Sequence, residues 1–101
     1  MGPYTQCVKV IARPDKYDQL IQQLQESSKL LNDIPECIYY LIGVTEEPNT
    51  VCIAELWVSK EAKEAFGARP DVAKELKDTF MSLVASIDKP TTATIIGGVG
   101  I

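Results

Sequence analysis

At 101 residues the chain is expected to form one domain, residues 1–101, and alone it would bury only about 60–70% of its unfolded surface. A net charge of −4, with basic residues scattered among acidic ones, lacks the basic stripe of a nucleic-acid binder, and no run reaches the roughly 18–20 apolar residues of a membrane span. Histidine is absent, which removes the usual haem ligand and the commonest general base.

The segment Met1 to Lys9 carries no basic stretch followed by an apolar one, so no secretory signal is expected and the predicted compartment is the cytoplasm. The three cysteines, Cys7, Cys37 and Cys52, are widely separated and have apolar neighbours. They are expected to be reduced, buried thiols, and no metal site is expected without C-x-x-C spacing or histidine.

Cys7 to Ala12 is β-rich and predicts a first strand. Arg13-Pro14-Asp15 breaks it, and the proline suits the first turn of a helix. Tyr17, Leu20, Ile21, Leu24 and Leu31 then form one apolar stripe on a helix running to about Asn32, which Pro35 stops. Ile38 to Val44 and Val51 to Val58 read as strands joined by the polar turn Thr45 to Thr50.

Ser59 is a candidate N-cap for a short helix through Phe66, ended by Gly67. Pro70 opens a longer helix whose stripe is Val72, Ala73, Leu76, Phe80, Leu83, Val84 and Ile87, closed by Lys89-Pro90. Thr91 to Ile96 is read as the last strand, before the tail Gly97 to Ile101. The fold class expected is α+β, with an antiparallel sheet in the order β-α-β-β-α-α-β, the split pattern of ferredoxin-like folds.

Both faces of the hairpin strands are apolar. Ile38, Tyr40, Ile42 and Val44 alternate with Tyr39 and Leu41; Val51, Ile53 and Trp57 alternate with Cys52, Ala54, Leu56 and Val58. Helices in this order cover one face only, and a large bare apolar face is avoided by soluble monomers. A homodimer is therefore predicted.

Pro35-Glu36-Cys37, Ala54 to Ala62 and Ala65 to Pro70 are three segments that resemble the antibiotic-biosynthesis and quinol monooxygenase superfamily. Pro35-Glu36-Cys37 is similar to the family's Pro-Gly-Cys, and Ala54 to Ala62 to its Tyr-Glu-x-Trp-x-Ser-x-Glu-Ala. Ala65 to Pro70 is similar to a block that reads Ala-His-x-x-x-Pro-His in quinol enzymes, and the first strand with Val10-Ile11-Ala12 also fits. The resemblance implies a dimeric α+β barrel in which two sheets stack back to back and each protomer has a pocket between sheet and helices. It also implies oxidation of phenols or hydroquinones to quinones by dioxygen, with no metal, flavin or nicotinamide cofactor.

Several positions depart from the family pattern. Phe66 and Asp71 stand where quinol enzymes have histidines. The haem-degrading branch would place its asparagine, tryptophan and histidine at Val8, Phe66 and Leu76, so haem degradation is not expected. Polyketide-tailoring members would match at Trp57, with their asparagine, tyrosine and arginine replaced by Ile53, Ile42 and Lys77.

The candidate site follows from these positions. Trp57 is either a core aromatic or a stacking wall for a flat substrate. Glu55 is either a carboxylate bonded across the dimer, to Arg13 or Lys9, or a general base. Phe66, Tyr40, Ile42 and Ile53 are candidate lining residues for a small aromatic ligand, against plain packing, and Lys77 is a candidate anion-binding group, against a solvated side chain. Two functions follow: a cofactor-independent monooxygenase of a small aromatic or quinol-type substrate, or a non-catalytic ligand-binding or regulatory dimer that kept the fold.

Overall fold

Strand-forming residues at the start of the chain create a long first strand, β1 (Tyr4–Ala12), in a computed structural model that describes residues 2–100. It begins three residues earlier than expected because Tyr4, Thr5 and Gln6 pair with Trp57, Leu56 and Glu55 on one side and Thr94, Ala93 and Thr92 on the other. Helix α1 (Tyr17–Leu30) follows a turn in which Asp15 adopts a left-handed φ of 65°. Pro14 thus lies ahead of the helix rather than in its first turn. A tight 3-10 turn at Leu31–Asp33 ends it.

Strands β2 (Cys37–Val44) and β3 (Thr50–Trp57) form the predicted hairpin. Asn49 turns the chain at φ 57°, a conformation asparagine tolerates, and its carbonyl accepts the Ala12 N–H at 2.8 Å. One irregularity breaks the alternation: Cys37 pairs with Trp57 but Tyr39 with Leu56, so Ile38 is the extra residue of a bulge. Ile38 is therefore displaced from the row of Tyr40 and Ile42 in which the alternation placed it.

Helix α2 (Lys60–Gly67) starts where expected, with the Ser59 hydroxyl accepting the Ala62 N–H at 3.0 Å. Helix α3 (Pro70–Glu75) has Pro70 in its first turn and continues through a π-helical turn (Leu76–Phe80) and one α-turn (Met81–Leu83). Here the expected long helix to Ile87 is corrected. Val84–Ile87 is a strand, β4, paired with β1 through Val84–Ala12 and Ile87–Val10.

The cause lies in β1. Its Lys9–Arg13 stretch has N–H and C=O groups that need partners. Arg13 N–H donates to Leu83 O at 2.9 Å, and Asp88 N–H to Lys9 O at 3.0 Å. Strand β5 (Thr91–Thr94) is two residues shorter than expected and completes the same edge.

The sheet is antiparallel with order β2-β3-β1-β4, β5 also pairing with β1. This is the split β-α-β arrangement expected from the element order. Leu20 and Leu24 of α1 pack on Val8, Val10, Ala12, Val51, Ile53 and Val84, so the helices cover one face.

The other face carries no helix and is exposed in part, with Leu56 on it only 1% exposed. Leu41, Ala54, Cys7 and Thr91 form one row across it, and Tyr39, Leu56, Thr5 and Ala93 another. Leu41 is 57% and Tyr39 42% exposed. The thiols are free, but Cys7 is exposed and Cys37 and Cys52 are half-buried. The expectation of buried cysteines is thus corrected, because Cys7 and Cys52 sit on this open face with sulfurs 3.6 Å apart. Among the described residues no helix is long and apolar enough to cross a membrane.

Candidate functional site

One cross-strand row of the covered face, Tyr40–Glu55–Gln6, brings a carboxylate under the helices. Glu55 is 8% exposed, and a carboxylate removed from water needs partners. Its Oε1 accepts the Trp57 indole N–H at 2.9 Å, and Lys63 Nζ, reaching in from α2, lies 3.7 Å from the same oxygen. Gln6 Nε2 is 3.5 Å from Oε2. The partners considered for Glu55 are engaged elsewhere in this protomer. Arg13 Nε donates to Val84 O at 3.0 Å, and Lys9 pairs with Glu47 at 2.7 Å.

Trp57 is buried beneath Phe66, whose ring lies 5.3 Å away and tilted by 42°. The Arg69 guanidinium sits 5.5 Å from the Phe66 centroid on α2's far end. It also donates two hydrogen bonds, of 3.2 and 2.8 Å, to Asp71, and this pairing holds the Asp71 carboxyl below its ordinary range.

On the near side of Phe66 a cleft of about 150 Å³ opens between α1, α3 with its π-turn, and β2. Leu24, Leu31, Tyr40, Phe66, Leu76 and Phe80 give it an apolar lining. Gln23, Ser27 and Glu75 are its polar members. Two larger depressions adjoin it. One, of about 390 Å³, lies behind Phe66 beside Arg69, and one, of about 330 Å³, beside Asn32 and Cys37. The smaller cleft is the better ligand site because it joins an apolar lining to a few convergent polar groups.

Burial pushes the Tyr40 phenol far above its ordinary value of about 10, and the nearby Glu55 charge adds to this. Tyr40 is therefore a protonated hydrogen-bond donor at neutral pH and not a base. Burial also raises the Cys37 thiol, again with help from Glu55. A nucleophilic thiolate is disfavoured there.

Of the residues singled out in the sequence, Tyr40 and Phe66 line the cleft. Trp57 and Glu55 lie behind Phe66, under α2, and do not line it. Ile53 is core, and Ile42 packs against that core. Lys77 is exposed on the π-turn outside the cleft lining. Sequence reasoning passed over Gln23, Ser27 and Glu75. Each is a polar helix residue, and only its distance from a neighbouring helix distinguishes it from a solvated one.

An antiparallel α+β sheet covered on one face, with an apolar cleft between sheet and helices, defines the class. A family model described as antibiotic biosynthesis monooxygenase matches residues 3–78, and the chain belongs to that family. No curated protein matches. Among solved structures, a candidate antibiotic biosynthesis monooxygenase from Chloroflexus aurantiacus J-10-fl is similar at 28% identity, covering 99% of each chain with a TM-score of 0.83. One from Deinococcus radiodurans is similar at 21% identity, covering 97% of each chain with a TM-score of 0.82. A Mycobacterium tuberculosis protein has 14% identity over 98% of this chain and 100% of its own, with a TM-score of 0.83. The last two likenesses speak to the fold.

Proposed function

We propose that this protein is a cofactor-independent monooxygenase that oxidises a small aromatic, quinol-type substrate with dioxygen. The observation that carries the reading is the apolar cleft itself, walled by Phe66 and Phe80, with the protonated Tyr40 phenol among its lining residues. An apolar cavity of about 150 Å³ takes a benzene-sized ring. A phenol seated there needs no metal or flavin if its anion gives an electron to dioxygen and the caged pair recombines. One oxygen atom then bonds to an unsubstituted ring carbon, para to the hydroxyl in a simple phenol and ortho to one in a hydroquinone. The other leaves as water with two hydrogens from the substrate, and the ring becomes a quinone. The protein's part is to hold the ring, exclude water and donate a hydrogen bond to the developing carbonyl. Trp57 and Glu55 would support Phe66 and Tyr40 from behind.

In this reading the chain is a single cytoplasmic domain working as a homodimer, its open sheet face covered by a second copy. The test is oxygen uptake by purified protein with a panel of hydroquinones, phenols and anthrones. Uptake should exceed that of a Trp57→Ala variant. No uptake above that control on any member abandons catalysis.

One observation favours a second reading, a ligand-binding dimer without chemistry. Glu55, the carboxylate nominated as base, is held by Trp57 and Lys63 away from the cleft. Binding of the same aromatics without oxygen uptake would select it.

A further inference from the structure

We infer that Glu75 is the specificity-determining group of the cleft, selecting an aromatic ligand that carries a free hydroxyl over one whose hydroxyl is blocked. The inference rests on the reading of the cleft as an aromatic site, and it names the feature of the ligand that the cleft reads.

Glu75 is set in place by α1. Gln23 Nε2 donates to Glu75 Oε1 at 2.7 Å, and the Ser27 hydroxyl donates to the same oxygen at 3.0 Å. Gln23 Nε2 also lies 3.1 Å from Ser27 Oγ, so the three side chains form a closed triangle between two helices. All three line the cleft, and they are partly buried. Both donors fall on Oε1; among the described residues Oε2 accepts no side-chain hydrogen bond. A cleft-lining carboxylate fixed through one oxygen, with the other left to solvent, is a preorganised acceptor. A phenol O–H satisfies it. A methyl ether brings a methyl group to the same place and leaves the carboxylate unpaired and newly desolvated.

The backbone supplies an independent pointer. The π-turn begins at Leu76, immediately after Glu75, and runs to Phe80. Its two end residues, Leu76 and Phe80, stand in the cleft wall with Val72 and Glu75. Such turns cost regular hydrogen bonding and recur at functional sites.

The experiment titrates the full-length protein with phenol and with anisole, its methyl ether, following chemical shifts of the cleft residues. Wild type should prefer phenol by about ten- to a hundredfold, the range expected for a hydrogen bond to a charged group. Glu75→Gln keeps the side chain's size and its contact with α1, and it should bring the ratio close to one while the melting temperature stays near wild type. Should that variant unfold, Gln23→Met with Ser27→Ala, which free the carboxylate to swing, should narrow the same ratio.

A purely structural link between α1 and α3 would lower stability in both variants and leave the ratio untouched, and that result overturns the inference. Equal binding of phenol and anisole by wild type, or binding of neither, overturns it as well. A strong phenol preference that depends on Glu75, without oxygen uptake, leaves the inference standing and removes the monooxygenase. Oxygen uptake by wild type, with a binding ratio that Glu75→Gln leaves unchanged, does the reverse.

Discussion

Trp57 and Glu55 show how one residue's burial compels another's. A buried indole needs an acceptor for its N–H, and a buried carboxylate needs donors; two positions apart on one strand they serve each other at 2.9 Å. Trp57→Phe keeps most of the apolar volume packed against Phe66 but removes that donor. The carboxylate then retains only the more distant Lys63 and Gln6. The expected loss is about 2 kcal/mol in urea unfolding, since a charged acceptor is left under-satisfied. Adding Glu55→Leu to that variant should recover part of it, and a further loss would show that Glu55 is held chiefly by Lys63. At this scale the sequence was partly legible. Aromatic residues such as Tyr40 and Phe66 announce themselves because wherever they fall they form walls. Glu75 does not, because a glutamate followed by Leu76 and Lys77 reads as solvated helix until the partner helix is placed.

Each element reached its place by a local signal or lost it to a tertiary one. Ser59 is the clearest local signal: an extended residue whose hydroxyl accepts an N–H of the first helical turn. Because α2 carries Phe66 over Trp57 and Lys63 toward Glu55, its start also fixes the back of the site. Ser59→Ala should cost about 1 kcal/mol by chemical denaturation, while Ser59→Asp, which keeps an acceptor, should restore most of it. Equal losses in the two variants would mean that packing, not the cap, starts the helix. The tertiary signal won at Val84. Apolar residues at 80, 83, 84 and 87 fit a helical stripe, and β-branched Val84 and Ile87 fit a strand as well, so periodicity alone could not decide. The open hydrogen-bonding edge of β1 decided it. The π-turn was equally hidden, because one extra residue in a helical stripe leaves the spacing three, four and four nearly intact.

For the whole molecule the governing quantity is the apolar surface that one chain cannot cover. Element order put the helices on one face and left the other bare, and this was legible because the strands are apolar on both sides. Which residues that face presents was not legible, since the bulge at Ile38 and the pairing of β5 with β1 are set by tertiary structure. On the bare face Leu41 and Tyr39 lie beside Cys7 and Cys52, with the Lys9–Glu47 pair alongside. In the tail, Ile96 and Val99 are fully exposed, at 101% and 103%. A stable symmetric pair buries roughly 1,200–2,000 Å² in total, which asks a broad face of each chain. The native mass at micromolar concentration should therefore be that of two chains. Leu41→Lys places a charge in the middle of the face and should halve that mass. It should also make Cys7 react faster with an alkylating reagent than in wild type, because the thiol is exposed in one chain and covered in the pair. A wild-type protein that runs as one chain, with Cys7 already fully reactive, would rule out this face as the interface.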